Sequence, residues 1–136
     1  MKVKLDKGAY APERAHRTDA GLDIRTPVRV MVPARGSATV HTGVHVQLPP
    51  FYAGEIISKS GLNISHGIVT TGLIDEGFDG EIVVKLYNLS DDPHVFEAGD
   101  KITQLMLVRT CYSTIQVVDE IEGGDRGSNG YGSTGR

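Results

Sequence analysis

The sequence predicts an all-β fold, a distorted jelly roll or β-barrel. Three observations point to it. Apolar runs of strand length recur along the chain, several of them alternating with polar residues. Glycine and proline clusters separate them at short spacing. No amphipathic run is long enough for a standard helix.

Val3 and Leu5 alternate with lysines and predict the first strand. A polar loop over residues 8–19 follows. Next is Ala20-Gly21-Leu22-Asp23-Ile24-Arg25, where a strand turns Leu22 and Ile24 to one face and Asp23 to the other. Residues 28–32 are apolar and close at Pro33. Residues 36–41 and 44–48 read as two strands around Thr42-Gly43. Pro49-Pro50 ends the second, because proline cannot donate to a ladder. Residues 52–57 predict a strand that runs into Ser58-Lys59-Ser60-Gly61-Leu62-Asn63, a turn or the first turn of a short helix. Leu73 and Ile74 form a short strand, and residues 82–88 the longest one. Val95-Phe96 is brief, residues 101–108 are strongly β-like, and residues 115–118 are expected to close the core.

A chain of 136 residues with 39% hydrophobic content suits one folded domain with its own core. From Gly123 the composition changes to glycine, serine and a few larger residues. Residues 1–122 are therefore read as a β-barrel core and 123–136 as a flexible, Gly-rich C-terminal segment. The net charge of −3 and the lack of a basic cluster argue against a duplex nucleic acid partner. A small phosphorylated ligand is compatible with it. No run is long enough to span a membrane, the N-terminus reads as a strand and not a signal peptide, and the one cysteine, Cys111, cannot form an intrachain disulfide. A cytoplasmic, intracellular location is therefore expected.

The chemistry centres on Gly72-Leu73-Ile74-Asp75-Glu76-Gly77-Phe78-Asp79-Gly80. Asp75 stands at the end of a strand on a stiff hairpin, a good mount for a carboxylate that must aim. By itself an Asp before a Gly-rich turn is ordinary turn chemistry. Four other polar places accompany it. Asp23 projects from an apolar strand, although an Asp in a half-exposed strand is usually solvated. Lys59 and Ser60 lie in a turn where N–H groups can face an anion. Gln104 interrupts an apolar run. Arg126, Tyr131, Ser133 and Thr134 sit among glycines, where Tyr131 could stack on a base. The five histidines are scattered, and no cysteine–histidine spacing suits zinc.

Together these stretches resemble the five motifs of the trimeric dUTPase family, in the family's order and over nearly the whole chain. They are Ala20-Gly21-Leu22-Asp23-Ile24, Ser58-Lys59-Ser60-Gly61-Leu62, the hairpin from Gly72 to Gly80, Gly99-Asp100-Lys101-Ile102-Thr103-Gln104-Leu105, and residues 126–135. The resemblance implies hydrolysis of dUTP to dUMP and pyrophosphate with Mg²⁺. It also implies a homotrimer whose active sites lie between subunits. Asp75 resembles the general base that activates water for attack on the α-phosphate. Gln104 resembles the group that places that water. Asp23 resembles the acid that holds metal-bound water, the Mg²⁺ itself being carried mainly by substrate phosphates. Ser60, with Lys59 and Gly61, is implied to contact the phosphates. Gly72, Ile74 and Phe78 are implied to form the nucleoside site, with the ring of Phe78 under the deoxyribose. Tyr131 would cover uracil, with Arg126, Gly132, Ser133 and Thr134 toward the phosphates.

Lys59 stands where the family usually has arginine, which keeps the charge but not the bidentate fork. Phe78 stands where tyrosine is usual, so the ring is kept without its hydroxyl. Asn129 replaces a usual glycine, and Tyr131 a common phenylalanine. Two alternatives accompany the hydrolase: a dCTP deaminase-like relative on the same fold, and a dUTP-sensing protein that regulates a partner. An intact hairpin aspartate and tail argue against the first; no inserted surface domain points to the second.

Overall fold

The computed structural model describes residues 1–121 and 123. Ten strands and one short helix follow in chain order: β1 (Lys2–Leu5), β2 (Gly21–Arg25), β3 (Val30–Val32), β4 (Ser37–Gln47), β5 (Tyr52–Ile57), α1 (Ser60–His66), β6 (Ile68–Val69), β7 (Thr71–Ile74), β8 (Glu81–Asn88), β9 (His94–Phe96) and β10 (Lys101–Arg109). One four-stranded sheet has the order β1-β4-β8-β6 and a second the order β2-β10-β5-β7; β3 and β9 pair separately. Every pairing is antiparallel. The all-β expectation holds.

The strand period of two explains which faces meet. In β8, Ile82, Val84 and Leu86 point inward while Val83, Lys85 and Tyr87 point outward. The inward set joins Val40, Val44 and Val46 of β4, Ile24 of β2, Ile56 of β5, and Ile102 and Leu105 of β10 in one core. Val32 and Phe96, from the β3–β9 pair, pack into the same core. Ile24, Leu86 and Leu105 have no solvent exposure, and such burial contributes about 1.5–3 kcal/mol per side chain. Asn88 ends β8 inside the protein. Its amide donates to the Val32 carbonyl at 3.2 Å and to the Asp92 carbonyl at 2.8 Å, and its oxygen accepts from the Ser90 N–H and hydroxyl. A buried amide so fully paired costs little and fixes the turn beyond it.

Three parts differ from the sequence expectation. The two strands expected at residues 36–41 and 44–48 form one, β4 (Ser37–Gln47), which is the longest at 11 residues and exceeds the 8 of β8. Its register against β8 shifts between His41 and His45. The shift is a bulge held from outside the strand. Glu81 accepts the Gly43 N–H at 2.8 Å, and the Thr42 hydroxyl donates to the Ile82 carbonyl at 2.6 Å. Gly43 has φ 67°, which glycine adopts without strain. Second, the turn or first helical turn expected over residues 58–63 becomes a helix, α1, that runs on to His66. Third, residues 115–118 do not enter the core. Ile115 and Val117 are 89% and 93% exposed, and Ile121 is 94% exposed. After Arg109 the chain leaves the sheet, and no strand of the described residues pairs with it.

Candidate functional site

The hairpin between β7 and β8 carries the first group of residues. Ile74 ends β7 and is buried; Asp75 follows it and is exposed. The Phe78 N–H donates to the Asp75 carbonyl at 3.1 Å, with Gly77 at φ 89°, so a tight turn sets the directions of residues 75 and 78. The ring of Phe78 folds back over Gly80: a Cβ there would come within 2.6 Å of Phe78 Cζ. Gly80 thus clears the space that the ring occupies. Ile56, Gly72, Ile74, Asp75, Phe78 and Val83 help line a cavity of about 360 Å³ on this hairpin. Asp75 and Leu73 also border a larger depression of about 750 Å³ with Glu55, Arg109 and Tyr112. Of the two, only the smaller is lined by both the hairpin backbone and the Phe78 ring.

Glu76, next to Asp75, is tied down. It accepts from the Tyr112 hydroxyl at 2.7 Å and the Phe51 N–H at 2.8 Å. Those two donors, Tyr112 first, hold its carboxyl below the ordinary range despite the opposing effect of burial. The contact ties the hairpin to the strand ends around residues 51 and 112 and leaves Asp75 as the outward carboxylate.

The second group lies where β2, β10 and the start of α1 meet. Asp23 is only 7% exposed, against the expectation of a solvated strand residue. β2 is covered on one edge by β10 and on the other by a bridge from Glu13. Lys101 Nζ lies 2.6 Å from Asp23 Oδ2, and Lys59 Nζ bonds Oδ1. Burial would raise the Asp23 pKa, but the hydrogen bonds from Lys101 and Lys59 outweigh it and hold the carboxyl below its ordinary value. Gln104 pairs with Asp23 on one side and with Ile57 on the other. Its amide donates to the Ser58 carbonyl at 3.2 Å. The Ser58 hydroxyl donates to the Thr70 carbonyl and accepts the Thr70 N–H, which closes the bend before α1. Ser60 and Gly61 open α1 and are exposed, and Lys59 gives the helix no side-chain cap. His16, Asp19, Gly21, Asp23, Lys59 and Gln104 help line a cavity of about 400 Å³.

Asp23, Lys59 and Gln104 therefore come together, as do Gly72, Ile74, Asp75 and Phe78. The two groups do not meet within the chain. Gln104 shares a row of the sheet with Ile57 and Thr71, whereas Asp75 lies four residues beyond Thr71 on a strand two places away. Strand geometry puts that separation at about 13 Å along the strands and about 10 Å across them. Arg126, Tyr131, Gly132, Ser133 and Thr134 lie outside the described residues. Lys101 escapes a reading by sequence, because a lysine opening a strand looks like any solvated lysine. Gly21 and Gly80 were visible as motif glycines, but not their contacts with Gln104 and Phe78.

Among the described residues, no group of three or more His, Cys, Asp and Glu side chains gathers to hold a metal ion. Nor is any helix long and apolar enough to cross a membrane.

A family model described as dUTPase matches residues 7–135. A deoxyuridine 5'-triphosphate nucleotidohydrolase of Tropheryma whipplei (strain Twist) is 39% identical, with 97% of this chain and 93% of the relative covered. One from Paramecium bursaria Chlorella virus 1 is 38% identical, with 97% and 94% covered. Among solved structures, a mutant dUTPase of Staphylococcus bacteriophage 80alpha with dUpNHpp superposes with a TM-score of 0.89 and 30% identity, covering 99% of this chain and 98% of that one. A mutant dUTPase from phage phi11 of S. aureus, described for its coordination of a structural Mg(II) ion, gives a TM-score of 0.81 at 29% identity, covering 90% and 98%.

Proposed function

Because the chain belongs to the dUTPase family, we propose that it hydrolyses dUTP to dUMP and pyrophosphate in sites completed between the subunits of a homotrimer. The observation that carries the reading is the division of the chain into two half-sites. One holds an outward carboxylate and an aromatic ring, the other two ammonium groups, a carboxamide and a buried carboxylate. Neither is sufficient alone, and the sheet keeps them apart. A second copy that presents its Asp75 hairpin to the Gln104 region would join them.

In that joined site the nucleoside enters the hairpin cavity. Backbone groups along residues 72–80 read the uracil edge, and the Phe78 ring packs against the deoxyribose. Cytosine would meet the wrong donor–acceptor pattern there. The triphosphate extends toward Ser60, Gly61 and Lys59, where a hydroxyl and a cation meet its oxygens. Asp75 accepts the proton of the attacking water, and Gln104 holds that water in line with the α-phosphate. Pyrophosphate leaves with the electron pair of the broken P–O bond.

Mg²⁺ suits this donor set. Asp23 uses two of its lone-pair positions on Lys59 and Lys101, which leaves others for water carried by a hydrated ion. With no carboxylate cage among the described residues, the ion would be held chiefly by substrate phosphates, as suits Mg²⁺. When bound it supplies neutralisation of phosphate charge. Residues 123–136 are read as the lid over this site, with Tyr131 against the base and Arg126, Gly132, Ser133 and Thr134 toward the phosphates. The single cysteine, exposed and unpaired, accords with an intracellular setting.

Product analysis with dUTP, dCTP, dTTP and UTP at equal concentrations tests the reading. dUMP and pyrophosphate from dUTP alone are expected. Ammonia from dCTP would replace the reading with the deaminase.

A further inference from the structure

His45 faces two acceptors at once. It sits on β4 just past the bulge, with a side chain only 18% exposed. Its Nδ1 lies 3.1 Å from the carbonyl of Asp79, and its Nε2 lies 3.1 Å from a carboxylate oxygen of Asp6. A carbonyl oxygen cannot donate. An imidazole with an acceptor at each nitrogen satisfies both only when both nitrogens carry protons. We propose that His45, as an imidazolium, is a positioning residue that clamps the nucleoside hairpin to the end of β1 and so sets the Phe78 ring. This rests on the reading of that hairpin as the nucleoside site.

The geometry runs from His45 to the ring in three steps. His45 bonds the carbonyl of Asp79. Asp79 lies between Phe78 and Gly80, and the Phe78 ring lies against Gly80. The loop after β1 is fixed at the other end, since the Asp6 N–H donates to the Gly43 carbonyl at 2.8 Å. Holding Asp79 therefore limits how far the ring can tilt.

The surrounding charges favour the proton. The Asp6 carboxylate, then the Asp79 carbonyl, raise the pKa of His45, while partial burial and Lys4 oppose them. Glu81 is the register partner of His45 on β8, but its carboxylate turns to His41 and the Gly43 N–H. With a raised pKa, the clamp is complete below the titration of His45 and is released as pH rises through it. Neutral imidazole keeps one N–H, so one of the two contacts is lost.

The test uses the full chain and two variants, His45→Gln and Asp6→Asn. The ring resonances of His45 and Phe78 are followed by NMR against pH, and KM and kcat for dUTP are measured over the same range. We expect the Phe78 signals to titrate with His45 in the parent, and KM to rise over that step while kcat stays nearly level. Asp6→Asn should move both steps to lower pH. His45→Gln should abolish both and raise KM at neutral pH by roughly three- to tenfold, the size expected for the net loss of about one hydrogen bond of ordinary strength. A Phe78 ring indifferent to His45 titration overturns the clamp. So does a His45→Gln protein with the parental KM and pH profile. If dUTP is not turned over at all, the hydrolase reading fails, and the Phe78 titration still judges the clamp.

Discussion

The side-chain oxygen of Gln104 occupies the space beside Gly21, where a Cβ would stand only 2.3 Å from Gln104 Oε1. The two residues lie on paired strands, β10 and β2, and the missing side chain of one is room for the other. Gly21→Ala should push the carboxamide out of its seat. Because Gln104 can swing away, the melting temperature should hardly change. Turnover of dUTP should fall by about tenfold to a hundredfold, the cost of misplacing a positioning group by an ångström. Calorimetry and steady-state kinetics on one preparation check the split; a large loss of stability with normal turnover would refute it.

Gly80 and Phe78 have the same relation on the hairpin. Gly80→Ala should displace the Phe78 ring, whose edge lies 2.6 Å from the added carbon. A ring packed against the deoxyribose, as proposed, would leave no room for a 2′-hydroxyl. Discrimination between dUTP and UTP, measured as the ratio of kcat/KM values, should therefore weaken while the fold persists. An unchanged ratio would remove the ring from sugar selection.

Asp75→Asn should still bind dUTP but lose about two to four orders of magnitude in turnover, the usual share of a general base. The half-sites add a sharper test. Asp75→Asn and Gln104→Ala chains, each strongly impaired, should recover part of the activity when unfolded together and refolded as a mixture. A site made within one chain would give no recovery.

Asp23 binds two lysines, so Asp23→Asn should destabilise the protein. A loss of about 1–3 kcal/mol is expected, less than for a wholly buried pair because both lysines reach solvent. The Asp23 pKa is lowered on folding, so its contribution is present above the unfolded value of about 4 and disappears as pH falls through the folded one. Parent and variant melting temperatures should converge below about pH 4. Equal melting temperatures at neutral pH would show that the lysines gain nothing from the carboxylate.

Ending the chain after residue 122 should leave the core folded, because residues 123–136 carry almost no apolar side chains to bury. Hydrolysis of dUTP should nearly vanish, since stacking on the base of about 1–3 kcal/mol and the phosphate contacts go with it. Full activity in the shortened chain would refute the lid.

Most strands were legible because their burial follows the period of two, as in Ile82, Val84 and Leu86. The rest depended on partners distant in sequence. Thr42-Gly43 reads as a turn between two strands, and only the Glu81 carboxylate and the Ile82 carbonyl reveal a bulge in one. Residues 115–118 alternate like a core strand, but alternation shows only that a partner is needed, not that the same chain supplies it. At the site, motif residues were visible singly. The Lys59–Asp23–Lys101 bridge was not, because its members come from three segments that only the fold brings together.

Ile115, Val117, Val118 and Ile121 hold their side chains in water once the chain has left β10. In the proposed homotrimer these side chains would be covered, a solitary subunit would leave them hydrated, and dilution would favour the solitary form by mass action. Thermal midpoints should then climb with protein concentration, and very dilute stocks should lose activity on standing. Assay results for such a protein depend on how it is stored and pipetted as well as on its residues.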